Sequence, residues 1–148
     1  FLLNNQLTDF SFKPSGESGV LIANRVEGGK RPRSSMAPTI VFDPEGNPFL
    51  IIGSAGGSRI IGYVLQRIIA VIDWGMGIQE AINMPHIVHR GSVLEVEETA
   101  FSLGKRLEDI GHSVTIGPMN SGLTSIQLKN GMIIGAADPR REGLAMGD

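Results

Sequence analysis

The stretch Phe49–Asp73, FLIIGSAGGSRIIGYVLQRIIAVID, decides how this chain folds. It opens on a short run of consecutive apolar residues, which reads as a strand with a buried face. It closes on Ile60, Ile61, Val64, Leu65, Ile68, Ile69 and Ile72, a two-wide apolar stripe at helical spacing. Between them stand Gly56 and Gly57. A strand, a glycine-rich turn and a helix over 60–72 follow. Ser58 is placed to cap that helix with its hydroxyl, and Gly75 and Gly77 end it.

Outward from this unit, the β-rich runs 37–43 and 48–54 flank Pro44-Glu45-Gly46-Asn47, a turn signal that predicts a hairpin. A short helix over 78–84 stops at Pro85. Short strands over 86–89 and 92–96 surround Gly91. Leu103, Leu107 and Ile110 predict a helix over 101–110 with Gly111 as its C-terminal cap. Strands over 113–116, 124–128 and 132–137 follow, the last two joined tightly at Lys129-Asn130-Gly131. Residues 11–35 are rich in Gly, Ser, Pro and charge and read as a long loop of the kind that often serves as a lid or binding loop. The tail from Asp138 onward reads as irregular. The order of elements predicts an α+β fold, sheets with helices packed outside them, in a single domain over 1–148.

Composition limits the possibilities. A length of 148 residues can bury a real core. A net charge of -2 predicts no strong attraction to nucleic acid or an anionic membrane. With no cysteine, disulfides and thiolate metal sites are excluded and the redox compartment stays open. The N-terminal FLLNNQLTDF has no basic leader and too short an apolar run for a signal peptide, and it reads as a chain cut from something longer. No segment approaches the ~20 apolar residues of a membrane span.

Three groups of residues could carry chemistry. Gly56 and Gly57 at a helix start could bare backbone N–H groups to a developing oxyanion, or simply make a tight turn. No Lys-Ser/Thr pair follows, so the segment is not a phosphate loop. Ser34 and Ser35, between Pro32 and Pro38, could bind a carboxylate or belong to a polar loop. Gln6 and Asp9 could grip an ammonium group by carbonyl and charge, or serve as turn residues. His86 and His89 have the wrong spacing for a helical metal pair, so no metal is expected there, and no cofactor is expected of the chain. Lys30, Arg31 and Arg33 read as a solvated basic patch. Arg59, Asp73, Asp138 and Arg140 read as structural ion pairers.

Taken in order, NNQLTDF, KRPRSSMAPTIV, GSAGGSRII and AADPR resemble the small subunit of γ-glutamyltranspeptidases over nearly the whole chain. The resemblance implies an N-terminal nucleophile hydrolase, a four-layer αββα sandwich made by self-cleavage into large and small subunits. It implies that Gln6 and Asp9 hold the α-amino group of a γ-glutamyl moiety, that Ser34 and Ser35 hold its α-carboxylate, and that Gly56 and Gly57 form the oxyanion hole. The implied substrates are glutathione or another γ-glutamyl amide, with water or an amino acid as acceptor. The family's nucleophilic Thr opens a Thr-Thr-His segment upstream of the NNQ motif, and no threonine here has that setting. This chain alone is therefore expected to be inactive. Its expected partners are the large subunit and the remaining N-terminal part of the small subunit; without that part an apolar face stays uncovered, so self-association or a partner chain is expected. A periplasmic or extracellular location is implied by the resemblance.

Two other functions fit the same residues: a relative hydrolysing other amides, such as the acyl side chains of β-lactams, and a non-catalytic module binding glutamate. The amino-acid-binding character of Gln6, Asp9, Ser34 and Ser35 argues against the first.

Overall fold

A computed structural model describes residues 4–147. The chain divides into two compact units, Phe1–Ser35 and Met36–Asp148.

The first unit has little regular structure. A 3-10 turn, Gln6–Asp9, is followed by a looped segment held by two isolated bridges, Ser11 with Arg25 and Ser15 with Leu21. Phe10 is its buried apolar anchor. Glu27 gathers two cations, Arg25 at 2.5 Å and Lys30 at 2.6 Å, so part of the basic patch is tied down locally.

The second unit is α+β. Its elements are β1 (Thr39–Phe42), β2 (Pro48–Gly53), α1 (Ile60–Ile72), α2 (Ile78–Asn83), β3 (Ile87–Arg90), β4 (Val93–Glu97), α3 (Phe101–Asp109), β5 (Val114–Gly117), β6 (Thr124–Lys129) and β7 (Met132–Ala137). Two antiparallel hairpins, β1–β2 and β6–β7, join through β2 and β6 into one four-stranded sheet. The β6–β7 turn has Asn130 and Gly131 both at positive φ, 53° and 75°, as a type I′ hairpin turn requires. A second sheet has the order β3–β4–β5. Its β4 and β5 run parallel, which demands a crossover; α3 supplies it, with Gly104 lying against Ile116 and Val96.

The strand register explains the packing. Val41, Leu50, Gln127 and Ile134 form one row, and Thr39, Ile52, Ser125 and Ala136 the next, on the same face. Leu50, Ile52 and Ala136 there are buried with Ile60, Tyr63, Val64, Ala70 and Val71 of α1 and Ile78, Ala81 and Ile82 of α2. At Gly62, α1 approaches β3 so closely that a Cβ would stand 3.0 Å from Val88. The row on the opposite face runs Ile40, Ile51, Ile126 and Gly135. Its isoleucines are exposed, 54%, 38% and 42% in turn, and Ile133 beside them is 75% exposed. The irregular tail runs along this face, with Ala145 beside Gly135 and Gly143 beside Ala137, and together with Ile51, Ile126 and Ile133 it lines a cavity. Among the described residues no helix is long and apolar enough to cross a membrane.

One sequence expectation fails locally. Ser58 does not cap α1. The chain enters that helix through a 3-10 turn, Gly57–Arg59, with no side-chain cap. The Ser58 hydroxyl instead accepts a hydrogen bond from Arg90 at 2.5 Å. The strand expected over 86–89 begins at Ile87, because the His86 N–H donates to the Glu97 carboxylate instead of a ladder partner.

Candidate active site

In the first unit, Gln6 and Asp9 lie in the same 3-10 turn. Gln6 is exposed and Asp9 half-buried. Ser34 and Ser35 are consecutive residues of an irregular segment, exposed and half-buried respectively. One side chain links the two groups. Asn24 donates from Nδ2 to the Asp9 carbonyl at 2.6 Å, and its Oδ1 accepts from the Arg33 N–H at 2.9 Å. The turn carrying Asp9 and the backbone that enters Ser34 are thus fixed to the same amide group. Sequence reasoning missed Asn24, which reads there as one more polar loop residue. An Asn amid the apolar residues of VLIANRV was the available signal.

In the second unit, Gly56 and Gly57 connect β2 to α1. Gly56 has φ 130° and Gly57 φ 61°, values that L side chains adopt rarely. A Cβ on Gly56 would stand 2.6 Å from Cε2 of Tyr63. Among the described residues neither the Gly56 N–H nor the Gly57 N–H donates a hydrogen bond. Both donors lead into helical turns, where the backbone dipole favours negative charge. The loop is clipped to the start of β6: Ala55 N–H donates to the Gly122 carbonyl at 3.4 Å and Gly122 N–H to Ser54 Oγ at 3.2 Å.

Around this loop the charges are paired. Arg59 and Arg90 both bind Glu95, at 2.7 and 2.6 Å, and their hydrogen bonds, Arg90 foremost, hold its carboxyl down at about 2. Arg140 spends its guanidinium donors on Glu97, Asp138 and the carbonyls of Ile82 and Met84. Arg59 and Arg140 are therefore structural, as expected from sequence; among the described residues no ion pair reaches Asp73.

Beneath the loop lies a polar cluster that the sequence did not disclose. Arg67, wholly buried on an otherwise apolar helix face, donates to the Met84 carbonyl and to Gln66. Burial, then the nearby Arg140, pushes it down to about 10. His86 is also wholly buried, stacked on Tyr63 with ring centroids 3.9 Å apart. Burial, then Arg67 and Arg140, pushes its ring down to about 3, so it is neutral. His89 is exposed, and among the described residues no three His, Cys, Asp or Glu are grouped to hold a metal.

The comparisons with known proteins agree with this architecture. The family model for gamma-glutamyltranspeptidase matches residues 1–148. The chain belongs to the γ-glutamyltranspeptidase family. It is 42% identical to the glutathione hydrolase proenzyme of Escherichia coli, over 94% of this chain and 25% of that protein. It is 38% identical to the glutathione hydrolase proenzyme of Bacillus subtilis strain 168, over 99% of this chain and 24% of that one. The chain thus spans about a quarter of these relatives' length. Among solved structures, the T380A mutant of Helicobacter pylori γ-glutamyltranspeptidase superposes with a TM-score of 0.78 at 38% identity, over 95% of this chain and 82% of that chain. The Pseudomonas nitroreducens enzyme complexed with L-DON does so with 0.81 at 29%, over 100% and 82%. These neighbours fix the fold as that of the N-terminal nucleophile hydrolases. A cephalosporin acylase from Bacillus halodurans, 22% identical with a TM-score of 0.74 over 94% of this chain and 26% of that chain, shares that fold.

Proposed function

We propose that this chain supplies substrate-binding and oxyanion-hole residues of a γ-glutamyltranspeptidase, which cleaves γ-glutamyl amides such as glutathione and passes the acyl group to water or an amino acid. The observation that carries the reading is the pair of undonated N–H groups at Gly56 and Gly57. Such donors, fixed before reaction, are what a tetrahedral acyl intermediate requires, and each is worth about 3 kcal/mol of transition-state stabilisation. Gln6 and Asp9 take the α-ammonium of the glutamyl group, and Ser34 and Ser35 its α-carboxylate. A head group with both charges rewards this division, because an analogue lacking either charge leaves one of the two groups without its partner.

The attacking threonine, in this reading, comes from a part of the enzyme outside these 148 residues, as does the large subunit. The apolar row Ile40, Ile51 and Ile126 supports that view. An exposed sheet face of this kind is a surface built to be covered, and the rest of the enzyme is the proposed cover. The whole 148-residue segment acts as the C-terminal part of a small subunit, with no metal or cofactor.

The test is kinetic. In the enzyme made from its complete natural coding sequence, Asp9→Ala should lower kcat/KM for a chromogenic γ-glutamyl anilide by about a hundredfold while leaving the unfolding temperature unchanged. Near-normal turnover by that variant would remove Asp9 from the site.

A further inference from the structure

We propose that Tyr63, His86 and Ser121 form a buried column that positions the Gly56–Gly57 pair, and so set the rate of acyl transfer without touching substrate. This rests on the reading above that the glycine pair receives the oxyanion.

The column begins directly under the loop. The Tyr63 ring fills the space a side chain on Gly56 would need, with Cε2 and Cδ2 at 2.6 and 3.2 Å from that Cβ position. Tyr63 is wholly buried, and its other neighbour is the His86 ring, tilted 40° against it. Its hydroxyl points to the sulfur of Met119 at 3.4 Å. His86 Nε2 lies 2.7 Å from Ser121 Oγ, which lies 2.5 Å from Asp138 Oδ2. The proton order follows. Burial pushes the Asp138 carboxyl up, but hydrogen bonds from Ser121, Leu123 and Arg140 outweigh it and hold it below the ordinary carboxylate value. Asp138 is thus an acceptor, Ser121 donates to it, and the Ser121 oxygen accepts from His86 Nε2–H. Asp138 is fixed in turn by the Leu123 N–H at 2.9 Å and by Arg140 at 3.1 Å.

The column meets the glycine loop by two routes. Tyr63 supports it from beneath. The segment Met119–Gly122, gripped at Ser121, runs alongside it through the Ala55 and Ser54 hydrogen bonds to Gly122. Arg141 holds the same segment from outside, at the carbonyls of Ser121 and Asn120, 3.0 and 3.1 Å away. Two adjacent glycines make the most deformable backbone available. Oxyanion donors act only when held within a few tenths of an ångström before the charge develops. A rigid, wholly buried column reconciles the two demands. Tyr63, His86 and Ser121 are all sealed from solvent within this unit, so they act through the loop.

The experiment uses the enzyme from its complete natural coding sequence, with active sites counted by an irreversible glutamine analogue. Ser121→Ala and Tyr63→Leu should each lower kcat per titrated site about tenfold or more for a γ-glutamyl anilide, with KM within twofold. Tyr63→Phe, which keeps the ring, should restore kcat to within twofold of wild type. A purely structural role would reduce the number of titratable sites and leave kcat per site unchanged, and that result overturns the proposal. Should Tyr63→Leu fail to fold, Ser121→Ala decides alone, since it removes one oxygen. Absence of any γ-glutamyl turnover by the wild-type enzyme would instead bring down the proposed function, and this proposal with it.

Discussion

Arg140 and Glu97 meet fork to fork, Nε to Oε1 at 2.6 Å and Nη2 to Oε2 at 2.7 Å, with both side chains nearly sealed from water. The pair joins the end of β4 to the segment after β7, and so ties the two sheets of the second unit together.

Breaking one partner leaves a buried charge uncompensated. Arg140→Met should therefore destabilise the protein by about 3–5 kcal/mol. The double variant Arg140→Met/Glu97→Leu should recover a substantial part of that loss. Urea denaturation of the two variants measures both values. Equal instability of the single and double variants would show that the cost lies in the other partners these side chains hold, Asp138 and the carbonyls of Ile82 and Met84 for Arg140 and the His86 N–H for Glu97, and not in the stranded Glu97 carboxylate.

Acid should weaken the fold in two stages. The unfolded chain protonates His86 near 6.5, whereas the folded chain does so only near 3. A depressed pKa contributes stability that is complete above the unfolded value and is lost as the pH falls towards the folded one. Loss therefore starts just below pH 6.5. Glu95, at about 2 against 4.5 unfolded, adds a second loss of the same sign below pH 4.5. Thermal unfolding midpoints between pH 7 and 5 should fall less in His86→Gln than in wild type, while both fall below pH 4.5. Parallel curves over pH 7–5 would mean that His86 is reached by protons in the folded state.

The two glycines should not tolerate substitution equally. At Gly57 (φ 61°) an added Cβ meets nothing within 4 Å, so Gly57→Ala pays only the left-handed backbone cost of about 1–2 kcal/mol. Gly56→Ala adds a collision with Tyr63 at an unfavourable φ. It should be the more destabilising of the two and, in the complete enzyme, should lower kcat more. Equal effects would show that the loop can lift off the Tyr63 ring freely.

Asn24 should matter to binding more than to chemistry. Asn24→Ala removes both hydrogen bonds that hold the Asp9 turn and the Arg33 backbone. In the complete enzyme it should raise KM for a γ-glutamyl anilide about tenfold with kcat within twofold, the pattern expected when ground state and transition state lose the same contact. A fall in kcat at constant KM would place Asn24 in the chemical step.

Much of the second unit was legible because its signals are short-ranged. The stripe Ile60 to Ile72 and the turn at Asn130-Gly131 carry their own geometry. The parallel pairing of β4 with β5 was not legible, because nothing local in VLEVE or VTIG tells which neighbour each strand takes. The glycine pair was visible as a feature, but its physical reason was not. Tyr63 lies seven residues beyond Gly56, looking like any core aromatic of a helix. His86 and Ser121 were likewise invisible as partners, being 35 residues apart and joined only by the fold. Ser58 misled because a hydroxyl before an apolar stripe is the usual cap signal; Arg90, brought close by a remote hairpin, claimed it.

The order of strands in the larger sheet has a consequence for how the protein is made. The β1–β2 and β6–β7 hairpins each close a loop of only a few residues, which takes microseconds. Their union pairs Leu50 with Gln127 and Gly53 with Thr124, across the entire helical and second-sheet portion of the chain. Such a non-local seam forms late, after a large loss of chain entropy. During synthesis the β2 edge emerges well before β6 exists to pair with it, and it carries Leu50, Ile51 and Ile52 side by side. For that interval the nascent chain presents an open, apolar strand edge, and its yield in a cell depends on how quickly translation delivers the partner strand or a chaperone shields the gap.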